Sequence, residues 1–280
     1  MQAGKPSRTA WAAASHRAAH QILEEGRIFR DPLAVRILGG DAGAIAQDAG
    51  ENPSRRLIRI FIAVRTRFAE EALAAAVGRG TSQLVVLGAG LDTFAYRSPY
   101  GDRLRVFEVD YPATQEWKRE LLRAAGIEAP ARLTFAPVDF EKQSLSEGLA
   151  AAGFDPAQQT FFTWLGVVPY LTQDAIWATF GFIARLGGGS DVVFDYADPP
   201  ETLSPEMREY HDERAARVRE IGEEWVTYFE AEELREKLTA LGFGEVEDLG
   251  PPQIAARFFP RSTAATRDRG GHVVRASKLL

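Results

Sequence analysis

Apolar residues return at every third or fourth position between residues 54 and 77, at Leu57, Ile60, Phe61, Val64 and Phe68, the spacing that lines one side of an α-helix. Arg55, Arg59, Glu70 and Glu71 fall on the opposite side. Upstream, residues 9–26 are rich in alanine, with Thr9 as a starting cap and Gly26 as a stop. A second, short helix is expected after Asp31-Pro32, because aspartate caps well and proline is tolerated at the first helical position. Beyond Gly80 the rhythm changes to short apolar runs at 84–87, 104–109, 133–138, 160–165 and 191–195, with helical stretches at 113–125, 144–151 and 173–186. Strands alternating with helices at this spacing predict an α/β fold, a mostly parallel, doubly wound sheet covered on both faces.

The last third predicts helices at 205–221 and 230–241 and two closing strands at 245–249 and 272–278. A long connection containing Pro251, Pro252, Pro260 and Gly270-Gly271 separates these strands, which suits an antiparallel closing pair. With no repeat and no long linker, the expectation is one domain over 1–280: a helical N-terminal cap at 1–80 and a core at 81–280.

Composition narrows the chemistry. The chain has 280 residues, 45% of them hydrophobic and 26% charged, which is globular usage. Cysteine is absent, which excludes disulfide scaffolds, thiol nucleophiles and iron–sulfur clusters. A net charge of −6 leaves no broad basic surface for nucleic acid. No run approaches the roughly 18 to 20 apolar residues of a membrane span, so a soluble, cytoplasmic protein is expected, without membrane or nucleic-acid partners.

The most informative segment is VVLGAGLDTF, residues 85–94, where an apolar strand runs into Gly88-Ala89-Gly90. Missing side chains let a backbone turn sharply and approach a ligand closely, although the same turn can also be a plain strand-to-helix connection. The next strand ends in Asp110, twenty residues after Gly90, the spacing of a carboxylate that holds ribose hydroxyls in adenosine cofactors. A dinucleotide site wants a third glycine where this chain has Thr93, and Asp92 beside the turn repels pyrophosphate. An acid there suits the cationic donor S-adenosylmethionine; NAD and ATP are the runners-up. A third strand leads into Asp139-Phe140, an acid and a ring suited to an adenine, though Asp139 could equally cap the following helix.

Taken together, TAWAAASHRAAH, RIFRDPLA, VRTRFAEEAL, QLVVLGAGLDTFAYR, RVFEVDYPATQEWKR, FAPVDFE, FFTWLGVVPYL and DVVFDYADP, spread over residues 9–199, resemble the leucine carboxyl methyltransferase-like family of S-adenosylmethionine-dependent enzymes. The likeness is to the bacterial branch described as O-methyltransferases of polyketide or secondary metabolism. It implies a Rossmann-like class I methyltransferase fold. It also implies that Gly88 and Gly90 bracket the donor's methionine moiety, Asp110 binds its ribose, and Asp139 with Phe140 contacts its adenine. By the same resemblance Arg65 grips the donor carboxylate and Arg17 is the basic residue from the N-terminal helix. One departure stands out: the eukaryotic carboxyl methyltransferases carry a glutamate where this chain has Leu165. That counts against a protein C-terminus as acceptor.

Methyl transfer from a sulfonium is an in-line displacement in which alignment supplies much of the catalysis, and no metal is needed. A carboxylate acceptor, with a pKa of about 4, is already anionic, whereas a hydroxyl acceptor profits from a base. No residue is assigned that role. His16 and His20, one helical turn apart, lack a third ligand and read as solvated or capping; His211 reads as a surface residue. Trp164, Tyr170 and Tyr196 follow strand ends and are candidates to line an acceptor pocket, with a core position the alternative for Trp164. The expected activity is O-methylation of a small molecule. The alternatives are a protein C-terminal carboxyl methyltransferase, an NAD-dependent oxidoreductase and a catalytically silent cofactor-binding protein.

Overall fold

The computed structural model describes residues 7–52, 55–139, 143–263 and 267–278. Its elements begin with α1 (Arg8–Leu23), α2 (Ala34–Ile37), α3 (Ala42–Glu51), α4 (Arg56–Gly78), β1 (Gln83–Leu87), α5 (Phe94–Arg97), β2 (Arg105–Asp110), α6 (Pro112–Ala124) and β3 (Leu133–Pro137). They continue with α7 (Leu145–Ala151), β4 (Thr160–Trp164), α8 (Gln173–Ala184), β5 (Ser190–Ala197), α9 (Pro205–Glu220), α10 (Ala231–Ala240), β6 (Glu245–Leu249), α11 (Pro251–Phe258) and β7 (Gly271–Lys278). The strands form one seven-stranded sheet in the order β3-β2-β1-β4-β5-β7-β6. The doubly wound expectation therefore holds. Two compact units are distinguished: Met1–Glu70 with Gly88–Phe154, and Glu71–Leu87 with Asp155–Leu280.

In the first unit, β2 and β3 run parallel, in register from Val106 opposite Leu133 to Asp110 opposite Pro137. Ser7, rather than Thr9, caps α1: its hydroxyl accepts the Ala10 N–H at 3.2 Å, the bond a residue just outside the helix makes. The helix stops before Gly26, with the N–H groups of Glu24 and Gly26 both closing on the His20 carbonyl. The α3 helix was not legible in sequence, because its small residues bury only Ala49 and so leave no apolar stripe. The middle of α4 is buried almost all round, from Ile62 through Thr66 and on to Phe68 and Ala69. On its polar side Arg59 is internal as well, buried and forking onto Glu24 at 2.8 and 2.9 Å, while Arg55 and Glu71 stay partly exposed.

In the second unit, β1, β4 and β5 are parallel, and β7 runs antiparallel between β5 and β6. The closing pair is thus antiparallel, with Glu245 opposite Ser277 and Leu249 opposite Val273. The long connection between its strands is partly helical, contrary to its proline-rich look. Pro251 and Pro252 occupy the first two positions of α11, where no backbone N–H is needed. Phe161, Phe162, Phe180, Phe194 and Phe243 fill the core of this unit.

Candidate functional site

The turn that leaves β1 is built from two glycines in the left-handed region, Gly88 at φ 64° and Gly90 at φ 44°, which side chains rarely adopt. The Ala89 N–H donates to the Val109 carbonyl at 3.0 Å, and the Gly90 N–H donates to Asp110 Oδ2 at 2.5 Å. The other oxygen of Asp110 accepts the Tyr111 N–H at 2.7 Å. The glycine turn and the acid twenty residues later are therefore joined directly. Asp92 is half-buried, its carboxylate accepting the Phe94 N–H at 2.8 Å at the start of α5.

Asp139 lies just beyond the end of β3, next to β2, where the Val138 N–H donates to the Asp110 carbonyl at 2.9 Å. It does not cap α7; that role falls to Ser144, which forms a capping box with Glu147. Phe140 lies outside the described residues. Arg65 is buried on α4 with its guanidinium 5.9 Å from the centre of the Phe61 ring. It is internal, not a solvated helix charge. Arg17, also buried, donates to the Leu91 carbonyl at 2.5 Å and lies 3.5 Å from Asp31.

Carboxylates and cations meet around the turn: Asp92, Asp110 and Glu108 with Arg17, Arg97 and Lys118. On the face of β2 that carries Asp110, two residues back, Glu108 is fully buried against the equally buried Lys118, at 2.7 Å. Burial pushes the Glu108 carboxyl up to about 7, against the pull of Lys118, and the carboxylates of Asp92 and Asp110 add to the rise. The Tyr96 phenol is held well above its usual range by burial, and further by Glu108 and Asp92.

Several side chains fall elsewhere than expected. Trp164, a candidate for an acceptor pocket, is in the core, edge-on to Phe180 at 5.3 Å, because its side of β4 is covered by α8. Tyr196 is buried too: its hydroxyl donates to Asp248 at 2.7 Å and its ring stacks on His272. Tyr170 is half-buried in the single turn after β4. His20 is not solvated; it is fully buried, accepts the Phe29 N–H and meets Glu24. Burial is the largest influence on its imidazole and lowers its pKa. His211 is no plain surface residue either, lying between Asp212 at 2.9 Å and the Tyr228 hydroxyl at 2.9 Å, against the Trp225 ring.

Sequence reading missed the buried partners. Lys118 shares the buried stripe of α6 with Thr114 and Leu122, and a lysine in such a stripe, paired with a glutamate inside an otherwise apolar strand, was the available signal. In sequence Asp31 has only the look of a helix cap. Its carboxylate does accept the Leu33 N–H at 3.0 Å, but it also accepts the Thr93 hydroxyl at 2.7 Å.

A family model for leucine carboxyl methyltransferase matches residues 10–184. A Bacillus subtilis (strain 168) protein with the provisional name S-adenosyl-L-methionine-dependent methyltransferase is 36% identical over 201 residues, covering 70% of this chain and 64% of that protein. The chain thus spans under two thirds of that relative's length. A similarly named Mycolicibacterium smegmatis protein is 32% identical over 228 residues, covering 77% of this chain and 69% of its own. The crystal structure of a Thermobifida fusca protein, provisionally named a methyltransferase, superposes with a TM-score of 0.57 at 18% identity, covering 100% of this chain and 97% of that one. That likeness shows the fold, a Rossmann-like class I methyltransferase fold. Because the family match contains both the glycine turn and the acid bonded to it, and runs over more than half of the sequence, the chain belongs to the leucine carboxyl methyltransferase family.

Proposed function

We propose that the chain is an S-adenosyl-L-methionine-dependent methyltransferase acting on a carboxylate or hydroxyl oxygen of a small molecule, such as a polyketide or other secondary metabolite. The observation that carries the donor half is the 2.5 Å bond from the Gly90 N–H to Asp110. It sets a carboxylate beside an exposed, side-chain-free backbone at Gly88, the pairing that ribose recognition needs. The names of the relatives favour the same donor.

In this reading the backbone at Gly88 and Gly90 flanks the methionine part of the donor. Asp110 accepts from the ribose hydroxyls, and Asp139 with Phe140 contacts the adenine. Arg65 pairs with the donor's carboxylate, and Asp92 faces its positive charge. Arg17 braces the turn through Leu91. S-adenosyl-L-methionine supplies a methyl group already activated on sulfur, so the protein's task is alignment and exclusion of water. An anionic carboxylate acceptor needs no base, and a hydroxyl acceptor would. Leu165, in place of the glutamate of the eukaryotic enzymes, supports a small molecule over a protein C-terminus.

Calorimetry with S-adenosylhomocysteine and with NAD tests the donor, and labelled methyl transfer to a panel of carboxylic acids, phenols and a peptide ending in leucine tests the acceptor. Preference for NAD rejects the reading. Donor binding without transfer to any member leaves a silent binding protein, and transfer to the peptide alone moves the acceptor class to protein C-termini.

A further inference from the structure

Asp31 sits in the turn before α2, its side chain fully buried, and belongs to none of the groups assigned to the donor. Its Oδ2 accepts the Thr93 hydroxyl at 2.7 Å and lies 3.5 Å from Arg17 Nε; its Oδ1 lies 3.6 Å from Arg97 Nε. Arg17 in turn donates to the Leu91 carbonyl, the residue after Gly90. Arg97, at the end of α5, donates to Thr93 Oγ1 at 3.2 Å and forks onto Glu70 at 2.5 and 2.9 Å. Its guanidinium also lies 4.9 Å from the centre of the Phe29 ring. One carboxylate thus gathers three groups, and each of them holds the segment that runs from the glycine turn into α5.

That segment needs holding. Two left-handed glycines give residues 88–92 more conformational freedom than an ordinary turn, and freedom lost on binding a ligand lowers affinity. Arg17 and Arg97 are nearly buried cations that cannot be left uncompensated. Asp31 meets both requirements without lying on the turn itself.

We propose that Asp31 is a positioning residue for the donor site, holding the 88–92 turn in its binding conformation through Arg17, Thr93 and Arg97. The inference rests on the donor reading above. Its control is Glu24, an equally charged hub that binds Arg59 and His20 and makes no bond to the turn.

The test compares wild type, Asp31→Asn, Thr93→Val and Glu24→Gln by calorimetry with S-adenosylhomocysteine and by thermal unfolding without ligand. Asp31→Asn is expected to bind about tenfold or more weakly, and Thr93→Val several-fold more weakly, while Glu24→Gln lowers the melting temperature and keeps affinity within about twofold of wild type. Thr93→Val removes the two hydrogen bonds of the hydroxyl, to Asp31 and from Arg97, and no charge, so it carries the test if Asp31→Asn does not fold. Unchanged affinity in both turn variants overturns the inference while the donor reading stands. So does a Glu24→Gln loss of affinity matching that of Asp31→Asn, which would mark general destabilisation. A wild-type protein that does not bind S-adenosylhomocysteine overturns the donor reading and this inference with it.

Discussion

The Cβ of Ala10 stands 2.9 Å from where a Cβ on Gly90 would be, so α1 packs directly against the glycine turn. The missing side chain at Gly90 makes room for a helix of the same chain, a second reason for glycine beside the φ of 44°. Gly90→Ala should therefore lose about 1–3 kcal/mol through overpacking together with left-handed strain. In urea unfolding, adding Ala10→Gly should restore the packing part and leave the backbone part. Full restoration by the double variant would show that φ contributes nothing.

Asp110 uses its two oxygens on the N–H groups of Gly90 and Tyr111. Asp110→Asn keeps the shape and removes the charge. Binding of S-adenosylhomocysteine should weaken by about 1.5–3 kcal/mol, the range of hydrogen bonds to charged groups. Calorimetry reads this directly, and an unchanged affinity would remove Asp110 from ribose recognition.

Lys118 and Glu108 form a fully buried pair. Removing the cation alone, by Lys118→Met, should cost about 3–5 kcal/mol, because it strands a carboxylate in the interior. The double variant Lys118→Met with Glu108→Leu should recover most of that loss, since a buried pair exchanged for apolar side chains is near neutral. Chemical unfolding of the three proteins checks the cycle. A double variant no better than the single one would mean that the pair contributes more than mutual neutralisation.

His272 gives the fold a pH dependence. Its two ring nitrogens meet Asp248 at 2.8 Å and Asp198 at 3.2 Å, with the Tyr196 hydroxyl at 3.0 Å and Arg269 on the far side of Asp198. Despite burial, the two carboxylates push the imidazole from 6.5 up to about 9. A base whose folded pKa is raised contributes stability that is complete below its unfolded value and lost as pH rises through the folded one. Wild type should thus lose on the order of 3 kcal/mol between pH 6.5 and values above 9, measured relative to His272→Gln by urea unfolding. Parallel pH profiles for the two proteins would contradict this.

Strands β1 to β5 are readable as short apolar runs, the closing pair β6 and β7 only as two extended segments near the end of the chain, and the glycine turn with its acid as spacing. Local rules suffice for such features: a parallel strand must be apolar on both faces, and a tight turn must admit positive φ. The Pro251-Pro252 start of α11 is ambiguous in sequence because proline ends some helices and begins others, and only the surrounding chain decides which.

Which polar side chains lie inside is a different kind of question. Arg59 and Lys118 look alike in sequence to exposed residues on amphipathic helices, and Asp31 looks like a cap. Their burial follows from partners 35, 10 and 62 residues away, respectively Glu24, Glu108 and Thr93. A charge can leave water only where an opposite charge or a donor already waits, and no local pattern records that meeting. The sequence by itself determined the strand order of appearance, the turn and the acid that follows it. The tertiary structure alone decided that α1 fills the space over Gly90, that Trp164 and Tyr196 are core, and that Asp31 gathers the turn, because each depends on what distant segments bring within a few ångströms.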